Sequence, residues 1–221
     1  MIKIYFSNYG NKLNEVDFFK YLDLVPIEIK NKILSFKRWE DCQASLYGKL
    51  LLKKGLEELG LDSGLINLKY TKYGRPYLEG NPDFNISHSS CYVVCAISTD
   101  SKIGIDIEEV KAIPIYDFKE QFSEEEWNII TASNNKYLWF YYYWTAKEAV
   151  IKAEGKGLNF PLKNITIKNN KTKIDETVWY IKDISLIKNY VLQIASDKAI
   201  NEKIDLVEIS FYKNFLGDIF H

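Results

Sequence analysis

A strand-like segment with two chemically different faces places the strongest constraint on this chain. Ile103, Ile105 and Ile107 alternate with polar positions that include Asp106 and Glu108. Because successive side chains of a β-strand point to opposite faces, the isoleucines form one face and both carboxylates lie on the other. The apolar face needs a second layer of structure to cover it. The acidic face is typical either of a solvated strand or of a site that clamps one hard cation.

A helical segment further along the chain supplies groups that match this acidic face. Residues 137–153 predict one of two long helices, and Gly155 supplies a stop signal. Glu148 and Lys152 stand four apart, so an acid and a cation share one helix face. Alone, such a pair indicates an exposed helix ion pair. Three carboxylates and a lysine around one ion would instead favour phosphate chemistry.

Length and composition exclude several classes of protein. The chain has 221 residues and is 47% apolar, which is enough to build a folded core. Its 29 basic and 30 acidic side chains give a net charge of −1, which disfavours a nucleic-acid partner. No apolar run approaches the roughly 20 residues needed to cross a bilayer, and the N-terminus lacks a signal-peptide pattern, so we expect a cytoplasmic protein without a membrane partner. Cys42, Cys91 and Cys95 are too few for a disulfide framework, and we expect unpaired, buried thiols.

The order of the predicted elements indicates an α+β fold. An alternating strand opens the chain, a long helix is predicted over residues 40–59, and Ser123 and Glu126 form a capping box at a helix start. Residues 165–167, 178–184, 190–194 and 206–212 are predicted as antiparallel strands. Each half therefore runs from a strand through helices to further strands. We predict two similar α+β subdomains in a pseudo-twofold arrangement, residues 1–101 and 102–221, with a ligand in the cleft between them.

Five motifs together resemble those of the 4'-phosphopantetheinyl transferases in order and spacing. The similarity is strong over residues 73–158 and extends, more weakly, over most of the chain. It is closest to the larger, monomeric class that activates peptide and polyketide synthetases. The motifs are Tyr73-Gly74-Arg75-Pro76, Phe84-Asn85-Ile86-Ser87-His88-Ser89, Gly104-Ile105-Asp106-Ile107-Glu108, Phe122-Ser123-Glu124-Glu125-Glu126, and the segment from Trp144 to Leu158.

This resemblance implies a reaction and a catalytic centre. The family transfers the phosphopantetheine arm of coenzyme A to a serine of an apo carrier protein and releases 3',5'-ADP. Asp106, Glu108 and Glu148 match the family's metal carboxylates, and an all-oxygen ligand set suits Mg²⁺. Glu148 also matches the residue proposed to accept the serine proton, directly or through water. Lys152 matches the lysine thought to neutralise or protonate the departing phosphate.

The resemblance also implies residues that bind coenzyme A. His88 matches the histidine at the 3'-phosphate, with Ser87 and Arg75 as partners, and Arg75 replaces the lysine of some relatives. Ser45 matches a hydroxyl near the nucleotide, and Lys32 matches a basic position that meets phosphate. Each has a plainer alternative: a core histidine, a charged turn residue, or ordinary helix-surface positions.

Two other functions remain open at this point. A metal-dependent hydrolase of nucleotide diphosphates would use the same carboxylates with water as the nucleophile. A noncatalytic carrier-protein adaptor would keep the fold and the docking surface without transfer. The directions of Lys147 and Lys156, which lie near the acidic positions in sequence, are also open.

Overall fold

Two four-stranded sheets, a small two-stranded sheet and the helices that cover them make up the computed structural model, which describes residues 1–80, 82–157 and 160–211. The first half contributes eight elements: β1 (Ile2–Asn8), α1 (Glu15–Leu22), α2 (Ile27–Leu34), α3 (Trp39–Glu58), β2 (Lys69–Tyr70), β3 (Pro76–Tyr77), β4 (Asp83–Ser89) and β5 (Tyr92–Ser98). The second half contributes β6 (Ile103–Glu109), α4 (Glu124–Ala132), α5 (Lys136–Glu154), β7 (Lys171–Ile174), β8 (Thr177–Asp183), β9 (Tyr190–Ser196) and β10 (Asp205–Glu208). Short 3₁₀ helices lie at Ile115–Gln121 and Leu162–Asn164.

The first sheet has the strand order β10-β1-β5-β4, and helix α3 packs on one of its faces. The approach is close: a Cβ on Gly55 of α3 would lie 2.2 Å from Ile97 Cδ1. The apolar side chains that meet α3 are Tyr5, Phe84, Val93, Cys95 and Ile97.

The second sheet has the strand order β6-β9-β8-β7, and helix α5 packs on its acidic face. Here the helix backbone itself touches the strand, because a Cβ on Gly104 would lie 2.0 Å from the Ala149 carbonyl oxygen and 2.4 Å from the Ala153 nitrogen. Glycine therefore brings α5 and β6 together at backbone distance. This contact fixes where Glu148 and Lys152 stand relative to β6.

The opposite faces of the two sheets pack against each other. Ile103, Ile105 and Ile107 are fully buried there. The first sheet supplies the covering residues Ile4, Val94 and Ala96. The second layer that the isoleucine face requires is thus the other sheet.

Strands β4 and β6, each at the edge of its sheet, are joined by side chains instead of backbone. Four alternate side chains of β4 accept hydrogen bonds from alternate backbone N–H groups of β6, and we call this set the side-chain seam. The bonds run from Ile103 N to Asp83 Oδ2 (2.8 Å), Ile105 N to Asn85 Oδ1 (2.9 Å), Ile107 N to Ser87 Oγ (3.4 Å) and Glu109 N to Ser89 Oγ (3.2 Å). The seam satisfies donors that an edge strand otherwise leaves unpaired.

Most predicted elements are confirmed. The two long helices are α3 and α5, the alternating strand that opens the chain is β1, and the strand with one apolar and one acidic face is β6. The capping box is formed by reciprocal bonds between Ser123 and Glu126. The three cysteines are free thiols as predicted, but only Cys95 is buried, whereas Cys42 and Cys91 are half-buried. Within the described ranges, none of the helices combines the length and apolar character needed to cross a bilayer.

Two strand predictions differ from the structure. Residues 165–167 form no strand, because the Ile167 N–H donates to Glu126 Oε1 at 2.9 Å instead of to a neighbouring strand. The last strand, β10, is parallel to β1 and joins the first sheet, with Lys3 opposite Asp205, whereas we predicted an antiparallel strand over 206–212. Residue 212 lies outside the described residues. The subdomain boundary between residues 101 and 102 stays a prediction.

Candidate active site

The acidic face of β6, the end of β4 and one face of α5 meet at Asp106. This residue is only 4% exposed. Its Oδ1 accepts hydrogen bonds from Ser87 Oγ at 2.9 Å and from Lys152 Nζ at 2.6 Å. Its Oδ2 is buried and has no hydrogen-bond partner in the described part of the chain. A buried carboxylate oxygen without a donor is costly, so this atom is suited to a ligand.

Ser87 ties the two subdomains together at this point. Its hydroxyl donates to Asp106, and it accepts from Lys152 Nζ at 2.9 Å and from the backbone of Ile107. A serine hydroxyl has one donor and two acceptor positions, and all three are used. The structure therefore brings Ser87, Asp106 and Lys152 together.

The other two carboxylates share the electrostatic environment of Asp106. Burial raises the pKa of Glu148, and the charges of Asp106 and Glu108 raise it further while Lys152 opposes the shift. Burial and then Asp106 also raise the pKa of Glu108, although its Oε2 accepts a 2.7 Å hydrogen bond from Ser89 Oγ that opposes the shift. The charge of Asp106 thus disfavours the charged forms of Glu108 and Glu148, and a cation bound at this site would relieve that repulsion.

The donor set fits a hard cation, although it is not assembled into a finished metal site. In residues 1–80, 82–157 and 160–211, no three His, Cys, Asp or Glu side chains converge closely enough to hold a metal ion as they stand. Lys152 occupies Asp106 Oδ1, and the unpartnered Oδ2 remains for a ligand. Carboxylate oxygens are the ligands that Mg²⁺ prefers.

His88 lies on the opposite side of β4 from the acids. It follows Phe84 and Ile86 on the face that packs against α3, and it is exposed to solvent at the edge of the site. Desolvation by the neighbouring groups lowers the pKa of His88, and the charge of Lys152 adds to this, while Asp41 and Asp106 oppose it.

Arg75 is placed apart from His88. Its Nη2 donates to both carboxylate oxygens of Asp83, at 3.0 and 2.9 Å, and to the Ile103 carbonyl at 2.9 Å. Asp83 begins β4 and His88 stands near its end, about 16 Å away at the usual rise per strand residue. Arg75 therefore reinforces the start of the side-chain seam. Its Nε is buried and has no hydrogen-bond partner among the described residues.

Lys32 and Ser45 lie on the helical side of the first sheet. The Lys32 ammonium stands 3.9 Å from the centre of the Tyr70 ring, a cation–π contact. Ser45 is half-buried on α3. Lys49, one turn after Ser45, is half-buried, and burial together with the charge of Lys32 lowers its pKa to about 8.

The two lysines of unknown direction point away from the acids. Lys147 is fully buried, and its Nζ lies 2.7 Å from Glu126 Oε2. Lys156 pairs with Glu154 at 2.9 Å and Asp175 at 2.8 Å on the surface. Lys152 thus supplies the ammonium that reaches Asp106.

Comparison with known proteins identifies the family. A family model described as the 4'-phosphopantetheinyl transferase superfamily matches residues 102–195, and one described as 4'-phosphopantetheinyl transferase, N-terminal, matches residues 13–100. The chain is 37% identical over 166 residues to the 4'-phosphopantetheinyl transferase gsp of Aneurinibacillus migulanus, covering 72% of this chain and 70% of that protein.

Two further relatives agree with this assignment. The 4'-phosphopantetheinyl transferase Sfp of Bacillus subtilis is 33% identical over 172 residues, 76% of each chain. The L-aminoadipate-semialdehyde dehydrogenase-phosphopantetheinyl transferase of Xenopus laevis is 31% identical over 204 residues, 77% of this chain and 68% of that protein. The resemblance carried by the five motifs is thereby confirmed, and the chain belongs to the 4'-phosphopantetheinyl transferase superfamily.

Proposed function

We propose that this protein is a Mg²⁺-dependent enzyme that moves the 4'-phosphopantetheine arm of coenzyme A to a serine of an apo carrier protein and releases 3',5'-ADP. The observation that carries the proposal is the meeting of Asp106, Ser87 and Lys152 where the two subdomains join, within the field of Glu108 and Glu148. Membership of the transferase family supports the same reaction.

The reaction exchanges one phosphorus–oxygen bond for another. The carrier serine oxygen attacks the phosphorus atom that bears pantetheine, and the bond from this phosphorus to the bridging oxygen of the diphosphate breaks. The leaving 3',5'-ADP takes the bonding electron pair. Glu148 accepts the serine proton, directly or through water.

Lys152 stabilises the charge that develops on the departing phosphate. Its ammonium is already fixed by Ser87 Oγ and Asp106 Oδ1, so little reorganisation is needed during the reaction. Its side chain is 28% exposed, against 5% for Asp106, so part of the lysine side chain is accessible to solvent.

Asp106, Glu108 and Glu148 would hold the Mg²⁺ ion. When bound, the ion would neutralise charge on the diphosphate. The unpartnered Oδ2 of Asp106 and the raised pKa values of Glu108 and Glu148 support this assignment, because a cation would offset all three unfavourable features.

Coenzyme A would bind along β4 with its nucleotide on the helical side. That side carries His88, Ser45 and Lys32, whereas Ser87 faces the acids. Because His88 and Ser87 are neighbours in β4 and point to opposite faces, His88 would contact the nucleotide of coenzyme A and Ser87 would lie near its diphosphate. Arg75 is a weaker candidate for a phosphate contact, because Asp83 holds its guanidinium and leaves the buried Nε as its unpartnered donor in the described part of the chain.

We further propose that the enzyme acts as a cytoplasmic monomer on a carrier protein of peptide or polyketide synthesis. One chain supplies both sides of the site, since Ser87 comes from the first sheet and Asp106 and Lys152 come from the second sheet and its helix. A second copy is therefore not needed to complete it.

A mass-shift assay tests the proposal. The protein is incubated with coenzyme A and a panel of apo carrier proteins, with Mg²⁺ or with a chelator. We expect one carrier to gain the mass of one phosphopantetheine, and only when Mg²⁺ is present. Consumption of coenzyme A without carrier modification would favour the hydrolase, and carrier binding without transfer would favour the adaptor.

A further inference from the structure

A cavity lies beside the first turns of α5, next to β9, the strand that pairs with β6. Its volume is about 520 Å³, and it opens to solvent. The loop between β8 and β9 forms one wall, and α5 forms another. This volume is within the range of cavities that bind small organic ligands. The described residues that line it are all different from those assigned above to coenzyme A, Mg²⁺ or the reaction.

The walls of the cavity are mainly apolar and aromatic. Trp139 and Tyr142 of α5 contribute two rings whose centres are 5.4 Å apart. Leu138 is 45% exposed and Trp139 is 37% exposed, so the cavity presents apolar surface to solvent. Apolar surface that gathers at a concave site is typical of a place where a ligand binds.

One carboxylate lies in these apolar surroundings. Asp183, the last residue of β8, lines the cavity, and its Oδ1 accepts a hydrogen bond from Gln193 Nε2 at 3.2 Å. Burial raises the pKa of Asp183, and among the described residues no cation opposes the shift. Lys188 is the other charged residue of the described lining, and it is exposed. Asp183 is therefore a carboxylate that a bound cation would stabilise.

The polar groups next to Asp183 are short of hydrogen-bond donors. Gln193, which stands opposite Asp183 in the register of β8 and β9, is fully buried. Its Oε1 has no hydrogen-bond partner in the part of the chain that the structure describes. The hydroxyl of Tyr142 donates to Asn170 Oδ1 at 2.9 Å instead. This polar cluster thus offers acceptors, and a ligand that carries a donor would match it.

We propose that this cavity binds a small amine whose single ammonium group is carried on an aromatic or branched apolar body. The ammonium donates to Asp183, and the apolar body packs against Trp139 and Tyr142, whose ring faces also attract a cation. Val191 lines the cavity and pairs with Glu108 of β6, so the amine lies one strand away from the acids. This inference goes beyond the proposed function and does not depend on it.

Binding of 2-phenylethylamine and of the neutral 2-phenylethanol tests the inference. The two probes have nearly the same size and shape, and the amine is protonated at neutral pH. Dissociation constants are measured by titration, with the backbone amide signals of the ¹⁵N-labelled protein followed by NMR. We expect the amine to bind about tenfold more tightly, the usual effect of one hydrogen bond between charged groups. The largest shifts are expected from Asp183 to Val191. Equal affinities, or shifts confined to other residues, would overturn the proposal.

Three variants separate charge from packing, and thermal melts show that each is folded. Asp183→Asn keeps the shape and an acceptor for Gln193 but removes the charge, so we expect it to bind both probes with equal affinity. Trp139→Leu removes an aromatic wall and is expected to weaken the binding of both probes. Glu176→Gln removes a carboxylate that is 97% exposed between β7 and β8, and is expected to keep the preference for the amine. If Asp183→Asn kept this preference, or Glu176→Gln lost it, Asp183 would not be the partner of the amine and the proposal would be refuted.

Two competition experiments identify the site and the source of the ammonium group. The affinity for 2-phenylethylamine is expected to stay unchanged when coenzyme A is added to saturation, and displacement would place the amine in the coenzyme site and refute the proposal. Nα-acetyl-lysine methylamide presents an ammonium on a flexible, unbranched stem, as a partner protein would. We expect it to bind more weakly than 2-phenylethylamine, because its stem does not fill the aromatic wall. Tighter binding would assign the cavity to a lysine of a partner protein and overturn the proposal of a free amine.

Discussion

Replacing Gly104 by alanine should push helix α5, which carries Glu148 and Lys152, away from strand β6, which carries Asp106. The added Cβ would lie 2.0 Å from the Ala149 carbonyl oxygen and 2.4 Å from the Ala153 nitrogen. Both atoms belong to the backbone of α5, so no side-chain rotation can relieve the clash. Because Cβ contacts below 3.0 Å are essentially never found, the helix must retreat from β6 by about 1 Å or more.

The expected magnitude follows from this displacement. Overpacking of a close helix–strand contact costs about 1–3 kcal/mol of stability. The same movement shifts Glu148 and Lys152, which flank Ala149 and Ala153 on α5, relative to Asp106, and a misplacement of about 1 Å in an active site reduces turnover on the order of 100-fold. We therefore expect a moderately destabilised, folded protein with a large loss of kcat.

Two glycine variants control for the loss of stability. In Gly55→Ala the new Cβ meets Ile97 Cδ1 at 2.2 Å and Tyr5 Cε2 at 2.8 Å, so the core of the first subdomain is overpacked while α5 is untouched. In Gly64→Ala the Cβ meets only the Asp62 side chain, at 3.2 Å. Thermal melts and transfer kinetics are measured for all three variants. Wild-type turnover in Gly104→Ala, or an equal loss in Gly55→Ala, would refute the reasoning.

Three further outcomes are expected. Asn85→Ala leaves the buried Ile105 N–H without its acceptor at 2.9 Å and should lower the free energy of unfolding, measured by urea denaturation, by about 1–3 kcal/mol. A loss no larger than that of the exposed control Asn67→Ala would show that the seam does not stabilise the protein. Asp106→Ala should abolish transfer while circular dichroism stays native, and near-normal turnover would remove Asp106 from the catalytic centre. Glu148→Gln should also abolish transfer but stabilise the protein at neutral pH, because the folded state raises the pKa of Glu148 above its ordinary 4.5 and so disfavours the charged form. This gain should vanish below pH 4.5, where the unfolded chain is also protonated; a gain that persists there would mean that charge is not its cause.

The parts of the site that depend on local pattern were predictable from the sequence. Strict alternation around Ile105 fixed both faces of β6, and the four-residue spacing of Glu148 and Lys152 placed them on one face of α5. The family motifs supplied the pairing of these elements, which periodicity alone does not contain.

The remaining features depend on contacts between distant segments. A polar residue on a strand, such as Asn85, is ordinarily read as facing water, yet it accepts from the backbone of Ile105 across the subdomain boundary. Nothing in the local sequence pattern shows that Asp83 lies beside Arg75 and pairs with it. The inward direction of Lys147 likewise depends on Glu126, which comes from a different helix.

The seam between β4 and β6 has a consequence for how such an enzyme can change over time. Strands joined by backbone atoms keep the same spacing whatever their side chains are. Here the distance between β4 and β6 depends on the side chains of the seam, which differ in length and can each be changed by one substitution. These side chains are Asp83, Asn85, Ser87 and Ser89. Point mutations in β4 can therefore change the distance between the two subdomains without altering the backbone pairing of either sheet. Such a change would also alter how coenzyme A and the carrier protein fit between the subdomains.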